Sequence, residues 1–421
     1  MNRLIRAAVA GCAIAIATPA LAQGRGAGGA ALALEEAVTL ARPDQPRLAA
    51  YELEARASEQ AAVAARSLPD LELTVGIQNF PIRGDNAFSP VDDAMTMYTI
   101  GVMREQVRRS RRQAEAQSIL AQALVSRRQA GAEERRIRRE VMRAWIDAVE
   151  ARAKQRLLER LIAELRTGRK VIEAGVPTGA SAPALALEAD AEIGLQESLL
   201  ADARRAEARA RAELSRWIGP AADRPLPSSL PAIELPPNLD QGLAALAAHP
   251  QLQVAAAEQQ AAESQIEVAR QERNRDLSWS VMLGIRPKYG EMVSASVSFP
   301  LQLNRSNRQD RVIAEAQERA GAARLRLEDA RRELERDYRA AVADYSGGEA
   351  QLTWIEREAV PALESAFAAA EARYAAGADT LDQPFAIIRR YVEVSMQSVE
   401  ARARRERAAA EILYIVGEAG R

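Results

Sequence analysis

Residues 67–107 read SLPDLELTVGIQNFPIRGDNAFSPVDDAMTMYTIGVMREQV. Leu71, Leu73, Val75 and Ile77 alternate with Glu72, Thr74, Gly76 and Gln78, the two-residue period of a strand with unlike faces. Pro81, Gly84, Asp85, Asn86 and Pro90 mark a loop over 79–94. Strand period resumes over 95–103, with Tyr98, Ile100 and Val102 sharing one face. The stretch predicts two strands, each with one continuous apolar face.

Downstream, a charged helical pattern covers 109–167, about 59 residues and roughly 90 Å at 1.5 Å per residue. Ile137, Val141, Trp145 and Ala148, then Leu157, Leu161 and Leu165, recur at three- and four-residue spacing, a seam for neighbouring helices. Glycines and Pro177 interrupt the pattern over 175–183, and helix returns as far as Trp217. Upstream, helical periodicity covers 33–66.

Residues 219–238 contain six of the 19 prolines and predict a non-helical connector. Beyond it the programme restarts. A helix pattern covers 239–273, then Leu277, Trp279, Val281, Leu283 and Ile285 alternate with Ser278, Ser280, Met282 and Gly284. A short turn over 286–291 leads to Val293, Ala295, Val297, Phe299 and Leu301, and a long helix runs to about Tyr374, breaks near Gly377 and continues to about Val416. Leu34 matches Leu239, Asp70-Leu71 matches Asp276-Leu277, and Gly175 matches Gly377, so the chain reads as an internal duplication with a period of roughly 200 residues. The expected organisation is a signal peptide at 1–22, a first structural repeat at 23–218, the connector at 219–238 and a second repeat at 239–421.

Composition narrows the function classes. Of 421 residues 48% are hydrophobic but only 4% aromatic, a bias toward long helices packed through Ala and Leu. Lys and Arg number 57 against 58 Asp and Glu, which argues against nucleic acid as a partner. No second long apolar run follows the N-terminal one, so a multi-span helical membrane protein is excluded. The first 22 residues combine Arg3 and Arg6, an apolar run over 7–17, and Ala20-Leu21-Ala22 before Gln23, the pattern of a secretory signal cleaved after Ala22. Its apolar run continues past Cys12, which argues against lipidation. Cys12 is the only cysteine and leaves with the signal, so the exported chain is expected to carry neither disulfides nor thiolate metal sites. His249 is the only histidine and stands beside Pro250, as a helix-boundary residue does. No convergent catalytic set exists, so no enzyme and no cofactor is expected.

Two hairpins cannot close a barrel alone, and four strands leave edges of unpaired N–H and C=O groups. The alternation fits a bilayer-spanning barrel, the only β arrangement that lipid tolerates. Three copies pooling four strands each give about twelve, an even number in the known range. The apolar set would face lipid, with Trp279 and Phe299 as an aromatic girdle near the helix-proximal strand ends. The expected fold class is an α+β membrane protein, with a long coiled-coil periplasmic tunnel and a twelve-stranded barrel shared by a homotrimer.

At this point the sequence resembles the TolC family of outer-membrane efflux channels, over essentially the whole exported chain. Leu68-Pro69-Asp70, Asn79-Phe80-Pro81 and 95–103 carry the likeness. So do Val297-Ser298-Phe299-Pro300-Leu301 with Asn304-Arg305, and Tyr374-Ala375-Ala376-Gly377 with Leu381-Asp382. Within the family it is most similar to outer-membrane components of cobalt–zinc–cadmium and copper–silver pumps of the resistance-nodulation-division (RND) type. The resemblance implies a passive export duct in the outer membrane of a Gram-negative bacterium. A periplasmic adaptor and a proton-driven inner-membrane RND pump would feed it with heavy-metal cations or other small toxic solutes. A protein-secretion or drug-efflux duct of the same fold, and an exported coiled-coil scaffold without a pore, are the alternatives. The sequence departs from relatives at Gln106-Val107-Arg108, where a proline tends to follow the second strand, and at Asp382-Gln383-Pro384.

Two sets of residues are candidates for function. By strand parity Met95, Met97, Met103, Met282 and Met292 fall on the polar face, where thioethers would either contact a soft metal in transit or fill a narrow barrel. Asp382, with Asp379, either lines the periplasmic entrance as a threefold charge ring or meets the adaptor on the outer surface.

Overall fold

The computed structural model describes residues 31–417 apart from 42–44, 178–182, 237–238, 240–241 and 377–381. The expected signal segment, its cleavage site and Asp379 lie outside these residues. In chain order the elements are α1 (Leu34–Leu40), α2 (Pro46–Arg66), β1 (Glu72–Gln78), β2 (Met97–Gln106), α3 (Arg109–Gly175), α4 (Pro183–Ile218), α5 (Gly242–Ala245), α6 (Pro250–Glu272), β3 (Leu277–Ile285), β4 (Met292–Ser298), α7 (Gln309–Trp354), α8 (Val360–Ala375) and α9 (Asp382–Val416). No described helix is long and apolar enough to cross a membrane.

The chain divides into two compact units. The first, built from Met1–Gln45, Glu134–His249 and Glu333–Arg421, buries its own apolar stripes. Leu158, Leu161, Ile162 and Leu165 of α3 pack on Ile193, Leu200 and Ala203 of α4 and on Val392 of α9. Small residues of α9, Ala401, Ala403, Ala409 and Ala410, are buried beside Ile412 and Ile415, which lets helix backbones approach closely. The segment from Gly219 onward is non-helical apart from a 3-10 turn over Gly219–Asp223, as its prolines require. It is tied in by polar bonds: the Leu32 N–H donates to the Pro225 carbonyl at 2.8 Å, the Trp145 indole donates to the Leu32 carbonyl at 3.0 Å, and the Ile233 N–H donates to buried Glu406 at 2.8 Å.

His249 is also buried in this unit. Its ring meets Tyr414 edge-on at 5.2 Å, and its backbone is extended (ψ 131°) as the following proline demands. Burial, with the nearby charges of Arg135 and Arg139, lowers its pKa to about 4 against an opposing backbone hydrogen bond at Tyr414.

The helices differ from expectation at identifiable residues. The single helix over 33–66 is two, and α2 begins with Pro46 in its first turn. The helix expected over 239–273 begins in earnest only at Pro250, after α5 and a 3-10 turn over Leu246–Ala248. The long helix toward Tyr374 contains a π-turn over Ile355–Ala359 just ahead of Pro361, which can donate no backbone hydrogen bond. The seam of α3 runs through Leu158 and not Leu157, because Gln155 is buried on that face and donates to the Ala203 carbonyl and to Glu207.

The second unit, Pro46–Glu133 with Pro250–Arg332, holds the four strands found among the described residues, in one antiparallel sheet of order β1-β2-β3-β4. β3 coincides with the expected span. β2 starts later, so Met95 lies in the preceding turn and not on a strand, and β4 ends at Ser298, leaving Phe299 and Leu301 just beyond it.

Candidate functional site

Register decides which side chains share a face of the sheet. Val75 pairs with Ile100, Ile100 with Leu283, and Leu283 with Val293. The neighbouring rows are Leu73–Val102–Val281–Ala295 and Ile77–Tyr98–Ile285. Every large apolar member of these rows is exposed, Val75 by 70% and Val293 by 72%. Trp279 lies between Arg104 and Val297 in the helix-proximal row, half-buried, and Phe299 is exposed. A contiguous apolar face of this extent is not left bare by a water-soluble monomer.

The opposite face reads Thr74–Gly101–Met282–Ser294 and Gly76–Thr99–Gly284–Met292. Met97, Met103, Met282 and Met292 thus lie on the polar side. Met97 crosses onto Gly284, where a Cβ would stand 2.8 Å from its Sδ, so any larger residue there would make the thioether shift. The Gln78 amide donates to Met282 Sδ at 3.3 Å. Among the described residues no group of three or more His, Cys, Asp or Glu is placed to hold a metal ion.

At one end of the strands, the loop over 79–96 folds on Asp93, whose carboxylate accepts from the Met95 and Thr96 N–H groups at 3.1 and 3.0 Å. Asn79 adopts positive φ (56°) as the chain leaves β1. Lys288 of the β3–β4 turn pairs with Asp92 of this loop, which joins the two hairpin tips.

At the other end an ion cluster joins strand to helix. Asp276, whose side chain is 8% exposed, accepts from the Arg108 N–H (2.9 Å), from Arg108 Nε (3.1 Å) and from Arg111 Nη1 (2.8 Å). Arg108 also donates to the Gln271 and Asn274 carbonyls, and Arg111 pairs with Glu115 at 2.9 Å. Burial alone would raise the Asp276 pKa, but the bonds from Arg111 and the Arg108 N–H and both guanidinium charges outweigh it and hold the carboxyl below its usual range. Sequence reasoning missed this cluster, since its members are 165 and 168 residues apart. The available signal was an Asp just before one strand and an Arg-rich stretch just after another. Asp382 is the first residue of α9. It belongs to the first unit and the strand methionines to the second.

Residues 243–418 match the family model described as outer membrane efflux protein. No curated protein matches the sequence. Among solved structures, the outer membrane protein VceC of Vibrio cholerae is similar with a TM-score of 0.74 at 15% identity, over 91% of this chain and 96% of that one. CusC, whose crystal structures were studied for folding and transmembrane channel formation, gives 0.77 at 15% identity, over 94% and 95%. The CmeC outer membrane channel of Campylobacter jejuni gives 0.75 at 10% identity, over 96% and 93%.

Proposed function

With residues 243–418 within the outer membrane efflux protein family, and the described chain sharing the fold of solved outer-membrane channels, we propose that this protein is the outer-membrane duct of a tripartite export system. One observation carries the reading: a bare apolar sheet face bounded by two strands, β1 and β4, that pair on one side only. Lipid covers such a face, and closure of the sheet into a ring removes both edges. Three copies contribute about twelve strands. The duct is passive: a periplasmic adaptor and an inner-membrane RND pump supply cargo and energy, and the channel hydrolyses nothing.

The cargo we propose is heavy-metal cations. Supporting this are the resemblance of residues 67–107 to the outer-membrane partners of metal pumps and the thioethers of Met97, Met103, Met282 and Met292 on the polar face, soft donors suited to Cu(I) or Ag(I). Met95 would join them from the loop. Asp382 and Asp379 form the periplasmic entrance, as the resemblance around Tyr374–Gly377 and Leu381-Asp382 implies, and Trp279 and Phe299 form the lipid-facing girdle. Export follows cleavage after Ala22, without lipidation.

Gene deletion tests the cargo, with tolerance measured across zinc, cobalt, cadmium, copper, silver and a panel of antibiotics. The expected result is sensitisation to metals. Sensitisation to antibiotics alone makes the duct a drug-efflux channel. A purified chain that stays monomeric and soluble without detergent reduces it to a scaffold. Asn at both Asp382 and Asp379 should change single-channel conductance or cation selectivity; no change moves them to the outer surface.

A further inference from the structure

Within one chain, the two hairpins share one strand seam, where β2 pairs with β3. That seam is locked at its helix-proximal end by Asp276, immediately before β3, held by Arg108 and Arg111. Arg108 is the residue before α3 and Arg111 is the third residue of that helix. The same parts recur at the free edges. Asp70-Leu71 stands before β1 as Asp276-Leu277 stands at the start of β3. Arg308 is the residue before α7 and Arg311 is its third residue. The first helical bonds also correspond, Arg112 N–H to Arg108 O and Val312 N–H to Arg308 O, both 3.1 Å.

These second parts lie at opposite edges of the sheet, and among the described residues Asp70, Arg308 and Arg311 form no ion pair and are exposed. We propose that Asp70 of one copy is clamped by Arg308 and Arg311 of the next, across a β4–β1 seam built on the plan of the β2–β3 seam. This rests on the reading that copies share one barrel.

The proposal fixes a register. Glu72 pairs with Met103 in the first hairpin and Ser278 with Ser298 in the second, so Met103 and Ser298 are equivalent. The observed pairs Val102 with Val281 and Arg104 with Trp279 then translate into Val297 with Val75 and Phe299 with Leu73 between copies. All four translated residues belong to the apolar set, so the face continues unbroken across the seam. A one-residue slip would set Val75 against Ser296 or Ser298 and break that face. The segment from β4 to α7 is longer than that from β2 to α3. Its excess lies in the turn over 303–308, which is pinned by Arg305 on the Arg273 carbonyl (3.1 Å) and by the Arg273–Asp310 ion pair (3.1 Å). Association of β4 with β1 of the next copy is head-to-tail, the kind of contact that closes into a ring.

The test uses the full chain with Cys12→Ser in outer membranes. Val75→Cys combined with Val297→Cys should give a covalent trimer on non-reducing gels after oxidation, while Val75→Cys with Ser298→Cys should not. Asp70→Arg should reduce SDS-resistant trimer at least tenfold, and adding Arg308→Asp and Arg311→Asp should restore it. Cross-linking of the slipped pair, or no cross-linking in a chain that is trimeric by mass, overturns the register. Asp70→Arg without effect, or without rescue, overturns the clamp. A wild-type chain that is not a trimer removes both the proposal and the shared-barrel reading beneath it.

Discussion

Trp145 in the helical unit is 1% exposed, while Val75 in the sheet is 70% exposed, although each belongs to the most regular apolar pattern of its region. In the first region a stripe at helical spacing finds partners in the same chain, α4 and α9. In the second, apolar residues at strand spacing form one uncovered face. The helical unit buries its main stripe within one chain, with Leu187, Leu195 and Trp354 left exposed, whereas the sheet leaves a whole apolar face uncovered. On the proposed function, the stability of the wall rests on lipid and on further copies of the chain.

If that contrast holds, damage in the two regions should register in different assays. The largest effect is expected from Trp145→Ala, which removes a fully buried ring and its bond to the Leu32 carbonyl, at about 3–5 kcal/mol. It should appear as a lower melting temperature whether or not detergent or lipid is present. Val281→Arg, in the middle of the exposed face, should cost roughly 2–4 kcal/mol in the membrane. It should deplete the inserted, heat-resistant oligomer and leave helical circular dichroism intact, whereas Ser280→Arg on the opposite face should insert normally. Equal behaviour of the two arginine variants would show that the two faces of the sheet do not differ in what covers them.

Acid should act on the helical unit. Because the His249 pKa falls to about 4 in the folded state, its contribution to stability is complete above the ordinary histidine value near 6.5. That contribution drains away as pH drops from 6.5 toward 4, to a total of about 3 kcal/mol. His249→Phe should flatten the corresponding part of a stability–pH curve relative to wild type. The smallest effect is expected at Gln155. Replacing it with Leu extends the apolar seam of α3 but removes its bonds to the Ala203 carbonyl and Glu207, a change of about 1 kcal/mol by denaturant titration.

The strands were legible in the sequence because a two-residue period with one apolar face leaves a clear trace; Leu73, Val75, Ile100, Val102, Val281 and Leu283 fall on the side their parity assigns. The four-stranded order was not written there, since pairing of β2 with β3 joins residues well over a hundred positions apart. Periodicity followed the long helices but slid by one residue at Leu157, where it skipped a buried glutamine. Periodicity ran straight over the helix starts at Pro46 and Pro250, although proline suits a first turn, and gave no sign that a helix could absorb Pro361 behind a π-turn. The Asp276 cluster stayed invisible because its meaning depends on which strand end lies beside which helix start.

The π-turn over Ile355–Ala359 limits how this chain can vary in length. A π-turn houses an extra residue, so the stripe below it is rephased by close to a third of a revolution. Ile355, Ala359, Val360 and Leu363 nevertheless gather on one cluster with Val394 and Ala401. Removing one residue there would straighten the hydrogen-bond ladder and yet swing everything after it off that cluster. Length in this stretch is therefore under tighter constraint than identity: substitutions can drift, while single-residue deletions must be compensated nearby or be lost.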